Sequence, residues 1–376
     1  MLKCPSRLSG AVCQGPCVRE VSMEAENLVA ETARRILADV ADPQSANRAK
    51  DDAWKGPAWA ALEEAGLTLA WVPDALGGAG AELADGFAVL REAGRCAAAL
   101  PLAETLLAGW LLAKAGIASP KGALTCGPAR EGEQVTVSGN GTMSGTVRAI
   151  PFAKGAKHLA LLAQRQEGGL VVALLDASLA HIGDGTSIGG DPQNRVSFKA
   201  ARPSAISAAP AGIDGQALLL MGAAARAMQM AGALEAILEL AVHYANERVA
   251  FARPIGKFQA VQHNLARLAG ETAAAVAAAG SAADTIARAS SIDEAVLLEA
   301  AAAKIRVGEA AGEGAAIAHQ VFGAIGFTQE HTLHRFTRRL WAWRDDFGNE
   351  SAWAVKLGNL VAAKGADGLW PMLAAR

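Results

Sequence analysis

The residues best suited to chemistry lie in one short segment, Arg248-Val-Ala-Phe251-Ala-Arg-Pro254-Ile-Gly-Lys-Phe-Gln259. Proline cannot continue a helix, and the residue before it avoids the helical region, so Pro254 predicts a sharp corner between two helices. The corner brings together a guanidinium (Arg248), an aromatic ring (Phe251) and an amide (Gln259). A guanidinium can bind a diphosphate through two parallel hydrogen bonds. The segment therefore predicts a site for a planar, phosphorylated ligand.

Two other groupings of side chains have simpler interpretations. His331 and His334 lie three residues apart, which can place two imidazoles on one helix face, but the segment contains no third metal ligand. We therefore expect a surface or interface role for them and no metal site. Trp341, Trp343 and Trp353 lie near helical spacing, which is typical of a core or a subunit interface.

Composition argues against several classes of protein. A formal net charge of -2 gives no electrostatic case for binding nucleic acid or a membrane surface. No uncharged apolar run reaches the roughly 18–20 residues that span a bilayer. Scattered cysteines such as Cys96 and Cys126 fit a reducing compartment, so we expect a cytoplasmic protein. Residues 1–22 contain Cys4, Cys13 and Cys17 without a partner Cys/His pair, and we predict a disordered leader there or a true start at Met23.

Three regions that differ in amino-acid composition and hydrophobic pattern must position the corner. Residues 23–120 predict an N-terminal helical domain, with helices at 24–40, 54–65, 84–93 and 105–115. Residues 121–210 predict a middle β domain, with strands at 134–138, 158–162, 170–175 and 195–199 and a hairpin turn at 139–141. Residues 211–376 predict a helical bundle: one long amphipathic helix ending at the corner, then helices at 259–289, 292–321 and 333–364, the last broken near Gly348. The predicted fold is mainly α with a small β domain in the middle.

This domain order and two sequence blocks resemble the acyl-CoA dehydrogenase superfamily. One block is the segment from Arg248 to Gln259, and the other is His319-Gln320-Val-Phe-Gly323-Ala-Ile-Gly-Phe327 with the arginine-rich stretch after it. The resemblance covers nearly the whole chain after Met23 and is architectural only in the middle domain. It implies a β-barrel or sandwich between an N-terminal helical domain and a C-terminal four-helix bundle. It also implies FAD as cofactor, an acyl-CoA thioester as substrate and an electron-transfer flavoprotein as electron acceptor.

The resemblance implies roles for five residues in binding FAD. Arg248 would contact the pyrophosphate, Phe251 would pack near the adenine, and Gln259 would reach the same part of the cofactor. Gln320 and Gly323 would close over the FAD of a neighbouring subunit, although the second glycine of the family's Gln-x-x-Gly-Gly element is alanine here. The two blocks together predict FAD bound across a subunit interface.

The catalytic base is where this sequence departs from the family. The family removes the α-proton of the thioester with a carboxylate, while hydride leaves the β-carbon for the flavin. The commonest position of that carboxylate is Phe347 here, and the alternative position in the first long helix falls near Gly222. Asp346 is one residue from the expected place, so we predict it as the base, ahead of Asp345 and Glu350. The alternative for these acids is an ordinary role at a helix end.

Three functions remain open at this point. The first, which we expect, is an active flavoenzyme that forms an α,β double bond, and the second, the alternative, is a non-catalytic, FAD-binding partner subunit of a heteromeric dehydrogenase. The empty base positions favour the second, and the two blocks argue against the third, a cofactor-free helical scaffold. We expect a homo- or hetero-oligomer, either a dimer or a tetramer. The acyl group is open, and the middle domain lacks the family's Gly-Ser-Asp loop; its nearest counterpart is the stretch 124–130.

A cluster of arginines is also open to two interpretations. We expect it either to contact a CoA phosphate or a partner chain, or to form a solvated face. Its members are Arg335, Arg338, Arg339 and Arg344.

Overall fold

Among the described residues, five α-helices precede the sheet, and the first two begin where the sequence supplies a capping side chain. The computed structural model describes residues 27–49, 51–128, 130 and 132–374, so the predicted leader lies outside the described residues. Asn27 accepts a hydrogen bond from the Ala30 N–H, and Asp42 accepts one from the Ser45 N–H, as helix caps do. The helices are α1 (Leu28–Val40), α2 (Pro43–Arg48), α3 (Lys55–Glu64), α4 (Leu83–Arg95) and α5 (Leu102–Lys114).

One eight-stranded sheet forms the middle of the chain. Its strands are β1 (Leu124–Gly127), β2 (Val135–Val137), β3 (Met143–Pro151), β4 (His158–Arg165), β5 (Leu170–Asp176), β6 (His181–Gly183), β7 (Gln193–Ala201) and β8 (Ala205–Ala208). They lie in the order β6-β7-β3-β2-β4-β5-β8, and β1 pairs with β4. The turn predicted at 139–141 joins β2 to β3. The sequence pattern missed β3 because two register shifts against β7 break its alternation of inward and outward side chains.

The C-terminal region is a bundle built around one long helix. Helix α6 (Gly215–Glu247) contacts α4, α5, α7, α8 and α9. The prediction of an amphipathic helix holds only for its second half, because Ala217 to Leu234 is buried on every face. The other helices are α7 (Gln259–Arg288), α8 (Glu294–Phe322), α9 (Leu333–Asp345), α10 (Glu350–Lys364) and α11 (Ala366–Ala374). The break predicted near Gly348 separates α9 from α10.

Helix α6 is long and apolar enough to cross a lipid bilayer. Of the helices described, it is the one with sufficient length and hydropathy to cross a bilayer, and its apolar window is wholly buried inside the protein. Burial of that window is what the core helix of a globular domain shows.

Two glycines let α4 cross α6 in backbone contact. A Cβ atom on Gly94 would lie 1.9 Å from the Gln229 carbonyl oxygen, and one on Gly232 would lie 2.0 Å from that of Arg91. Beside the crossing, Arg95 pairs with Glu239 at 2.8 Å. The N-terminal helices are therefore attached directly to the bundle.

The mainly α fold with a middle β domain is confirmed.

Candidate functional site

A two-residue hairpin forms the corner after α6. The short strands β9 (Val249–Ala250) and β10 (Arg253–Pro254) pair in antiparallel fashion. The two turn residues, Phe251 and Ala252, have φ angles of 53° and 63°, the left-handed conformation that tight hairpin turns adopt. This backbone leaves the Phe251 side chain 90% exposed. Its ring and that of Phe258 meet edge to face, with centroids 6.1 Å apart.

All five predicted cofactor residues lie at one end of the bundle. The connections between α6, α7 and α8 are short, so α6 and α8 end close to where α7 begins. The rings of Tyr244 on α6 and Phe322 on α8 stack there, with centroids 4.5 Å apart. The residues follow α6, begin α7 or end α8, and we call them the bundle-end cluster: Arg248, Phe251, Gln259, Gln320 and Gly323.

The bundle-end cluster fits an anionic, phosphorylated ligand. The side chains of Arg248, Gln259 and Gln320 are exposed, and none of them hydrogen-bonds or pairs with any described residue. Gly323 has φ 63°, and no atom lies within 4 Å of the place a Cβ would take, so a ligand can approach the backbone there. A free guanidinium and two free amides are donors suited to a diphosphate.

A second region, between the sheet and the bundle, contains the expected base position. The Phe347 ring fills it: this residue is 4% exposed and has φ 55°. Its carbonyl accepts a hydrogen bond of 3.0 Å from Trp353 Nε1. A Cβ atom on Gly222 would lie only 2.2 Å from Phe347 Cδ1. The two positions that the resemblance marks for the base are thus in contact, and neither carries a carboxylate.

Asp346, the predicted base, is engaged in a buried network. Arg226 Nε donates to Asp346 Oδ2 at 2.9 Å, and Gln193 Nε2 donates to Oδ1 at 3.0 Å. The Arg226 guanidinium also donates to Glu104 and Gln229. Both carboxylate oxygens of Asp346 therefore accept hydrogen bonds from side chains of the same chain. These contacts favour a structural role for Asp346, and its role as base stays a prediction.

Three buried charged residues around this turn were not found by sequence reasoning. Burial raises the pKa of Glu104, against the opposing effect of Arg226. Lys304 on α8 donates to the carbonyl oxygens of Arg344 at 2.6 Å and Gly348 at 2.7 Å, and burial lowers its pKa to about 8. A signal was present for two of them. Arg226 is the one cation in the mainly apolar stretch 217–234, and Lys304 directly follows four alanines, so each is a charged residue that needs buried partners.

A cavity of about 450 Å³ opens beside Phe347, and we call it the Phe347 cavity. Arg130, Leu219, Trp353 and Lys356 contribute to its walls. On the sheet side of Phe347 the space shrinks to about 10 Å³ beside Gln193 and Asp346, room for one water molecule at most.

The histidine pair makes local backbone contacts. His331 Nδ1 accepts from the Leu333 N–H at 3.1 Å, and His334 Nδ1 lies 2.7 Å from the His331 carbonyl oxygen. Burial lowers the pKa of both histidines. Within the described ranges, no group of three His, Cys, Asp or Glu side chains is placed to hold a metal ion.

The arginine cluster mainly joins α9 to the rest of the chain. Neither interpretation predicted for Arg339 is correct, because its guanidinium forms a buried bidentate pair with Asp191 at 2.9 and 2.6 Å. Arg338 donates to the Ile188 carbonyl, and Arg335 to that of Ala46. Arg344 pairs with Glu350 at 2.6 Å. These pairings attach α9 to the loop before β7 and to α2.

Two models of one family together match more than half of the chain. Residues 23–123 match the model "Acyl-CoA dehydrogenase, N-terminal domain", and residues 215–344 match the corresponding C-terminal domain model. The chain is 29% identical over 319 residues to acyl-CoA dehydrogenase IpdE2 of Mycobacterium tuberculosis, covering 84% of this chain and 91% of the relative. It is 31% identical to acyl-CoA dehydrogenase FadE34 of the same organism, covering 83% of this chain and 43% of that longer protein.

Solved structures share the fold. The ChsE4-ChsE5 complex from Mycobacterium tuberculosis matches with a TM-score of 0.81 at 22% identity, over 92% of this chain and 99% of the matched chain. The Tcur3481-Tcur3483 steroid ACAD matches with a TM-score of 0.77 at 26% identity, over 89% and 97%.

Proposed function

The chain belongs to the acyl-CoA dehydrogenase family of FAD-dependent oxidoreductases, and we propose that it is a non-catalytic, FAD-binding subunit of a heteromeric acyl-CoA dehydrogenase. One observation carries this proposal: the Phe347 ring lies against Gly222, so both base positions lack a carboxylate. The nearest acid, Asp346, is paired with Arg226. In this proposal the partner chain supplies the base.

The dimensions of α6 support a division of the FAD site between two chains. Gly222 and Arg248 are 26 positions apart along one helix and its cap, which at 1.5 Å per residue separates them by about 39 Å. An extended FAD molecule is shorter than this. An FAD held by the bundle-end cluster would therefore not reach the Phe347 turn of the same chain, which supports a flavin ring seated in a neighbouring chain.

The role of this chain then follows from its free donors. Bound FAD supplies the hydride acceptor for the partner's substrate. Arg248 binds the diphosphate, Gln259 and Gln320 complete its hydrogen bonds, and Gly323 lets the backbone approach. The exposed Phe251 ring packs beside the adenine.

The name of one relative suggests the substrate class. The relative at 26% identity is described as a steroid ACAD, and its name joins two components. We propose a bulky, polycyclic acyl-CoA for the complex, an electron-transfer flavoprotein as its electron acceptor and a cytoplasmic location.

The test compares this chain alone with the chain co-expressed with a neighbouring dehydrogenase subunit. Alone, it should not bleach flavin absorbance with any acyl-CoA, whereas the complex should bleach with a steroid acyl-CoA. Bleaching by the isolated chain would instead establish the active-enzyme alternative, and loss of that activity in Asp346→Asn would identify its base.

The cofactor contacts are tested in the same complex. Arg248→Ala should lose most of the bound FAD, measured by absorbance after desalting, while Arg195→Ala on β7 should retain it. Full flavin occupancy in Arg248→Ala would show that the assignment of the diphosphate site is wrong.

A further inference from the structure

A second cavity, of about 460 Å³, lies between α3 and the sheet. It shares no lining residue with the Phe347 cavity. Its walls are mainly apolar and include Trp59, Leu100, Pro101, Phe152 and Pro192. Its volume and lining are those of a small-molecule site.

One unpaired cation lines this cavity. The ammonium of Lys157 makes no hydrogen bond or ion pair with any described residue. The Lys157 side chain passes over Gly122, where a Cβ would lie 3.0 Å from Lys157 Cδ. The other charged groups at the rim are already engaged. Lys55 pairs with Asp52 at 2.8 Å, and Glu63 accepts a 2.6 Å hydrogen bond from the Gly122 N–H. Lys157 is therefore the group free to bind an anion.

The aromatic wall is held by a strained backbone. Phe152 has φ 56°, a left-handed conformation that is unfavourable for a residue with a Cβ. Hydrogen bonds hold it there: the Phe152 N–H donates to the Pro192 carbonyl at 2.9 Å, and the Gly155 N–H donates to the Phe152 carbonyl at 3.0 Å. Such strain persists where surrounding contacts determine it, and ligand sites are a common place for it.

We propose that this cavity binds a hydrophobic carboxylic acid, with its apolar body between Trp59 and Phe152 and its carboxylate on Lys157. Binding at this site requires neither FAD nor acyl-CoA. The proposal therefore goes beyond the proposed function, and its test does not depend on that function being correct.

Two probes of equal shape test the proposal by calorimetry on the full chain: 2-naphthoate and the neutral 2-naphthalenemethanol. Naphthoate should bind about tenfold more tightly, the gain expected from one charge-assisted hydrogen bond. Lys157→Met should remove that difference and leave the affinity for the alcohol unchanged. Lys114→Met, which replaces an exposed lysine at the end of α5, should behave as wild type.

A cavity-filling variant provides the second test. Gly56 lines the cavity, and no atom lies within 4 Å of the place a Cβ there would take, so Gly56→Phe adds an aromatic ring at the cavity wall without a clash at the backbone. It should abolish binding of both probes and keep the helical circular dichroism spectrum. Equal affinity of the two probes for wild type, no saturable naphthoate binding at millimolar concentration, or undiminished binding to Gly56→Phe would each overturn the proposal.

Discussion

At the scale of single residues, one guanidinium organises the region around the missing base. Arg226 binds two buried carboxylates, Glu104 and Asp346, and its Cζ lies 5.8 Å from the Trp343 ring centroid and 5.9 Å from that of Phe347. Burying three charged groups is unfavourable unless they stay paired. The network therefore makes the geometry of the Phe347 turn depend on Arg226.

Removing the guanidinium should expose that dependence. Arg226→Met leaves two buried carboxylates without a cation and should lower the free energy of unfolding by about 3–5 kcal/mol, measured by urea denaturation. Arg34→Met breaks an exposed pair with Glu31 and should cost less than about 1 kcal/mol. Equal costs for the two variants would contradict the structural role of the network.

Lys304 predicts a pH dependence of stability. Its pKa is about 8 in the folded protein against an ordinary value of 10.5, so between these pH values the unfolded chain binds more protons. Stability should therefore increase with pH across that window, by up to about 3 kcal/mol in all. Below pH 8 both states carry the proton, and Lys304 contributes no slope.

The measurement for Lys304 is a difference between two proteins. Urea denaturation of wild type and Lys304→Met at pH 7.5 to 10 isolates the contribution of this group from those of other titrating residues. A stability difference that does not change with pH would contradict the lowered pKa.

At the scale of elements, the sequence predicted what depends on local pattern. The α9–α10 break follows from Gly348, which has φ 94°, and the β2–β3 turn from Gly141, which has φ 78°. The bundle-end cluster was predicted because two motifs carry it. The Arg226 network was not, because Arg226 and Glu104 are 122 positions apart and no local pattern relates them. The close crossing of α4 and α6 was not predicted either, because the residues in contact are also far apart in the sequence.

That crossing is sensitive to a single methyl group. In Gly232→Ala the new Cβ would meet the α4 backbone at 2.0 Å, so the helices must separate. Overpacking of this kind costs about 1–3 kcal/mol. Gly270→Ala on α7 adds the same methyl group where no atom lies within 4 Å, and it should stabilise the helix by about 0.5–1 kcal/mol. A thermal melt that ranks the two variants in the opposite order would contradict the described crossing.

At the scale of the whole molecule, the bundle end presents apolar surface next to its free donors. Phe251 is 90% exposed and Phe327 71% exposed, and both follow helices that end there. Exposed aromatic residues beside arginine and amide groups are typical of protein interfaces. This arrangement is consistent with a cofactor site that a second chain completes.

A charge at this end should prevent assembly without unfolding the chain. Phe251→Asp should weaken association with the partner subunit at least tenfold in light scattering after gel filtration, because it buries an unpaired carboxylate in the interface. Its melting temperature alone should stay near that of wild type. Leu28→Asp, at a position 76% exposed on α1, should assemble normally. Unimpaired assembly of Phe251→Asp would place the interface elsewhere.

The single uninterrupted helix α6 has a consequence for how such a protein changes over generations. Substitutions around Gly222, at one end of the rod, have no contact with the residues after Glu247 at the other. A duplicated gene can therefore lose its proton-transfer chemistry by drift and still be retained by selection, provided that a sister chain depends on the far end. Loss of turnover and retention of binding are then two separately heritable traits of one polypeptide.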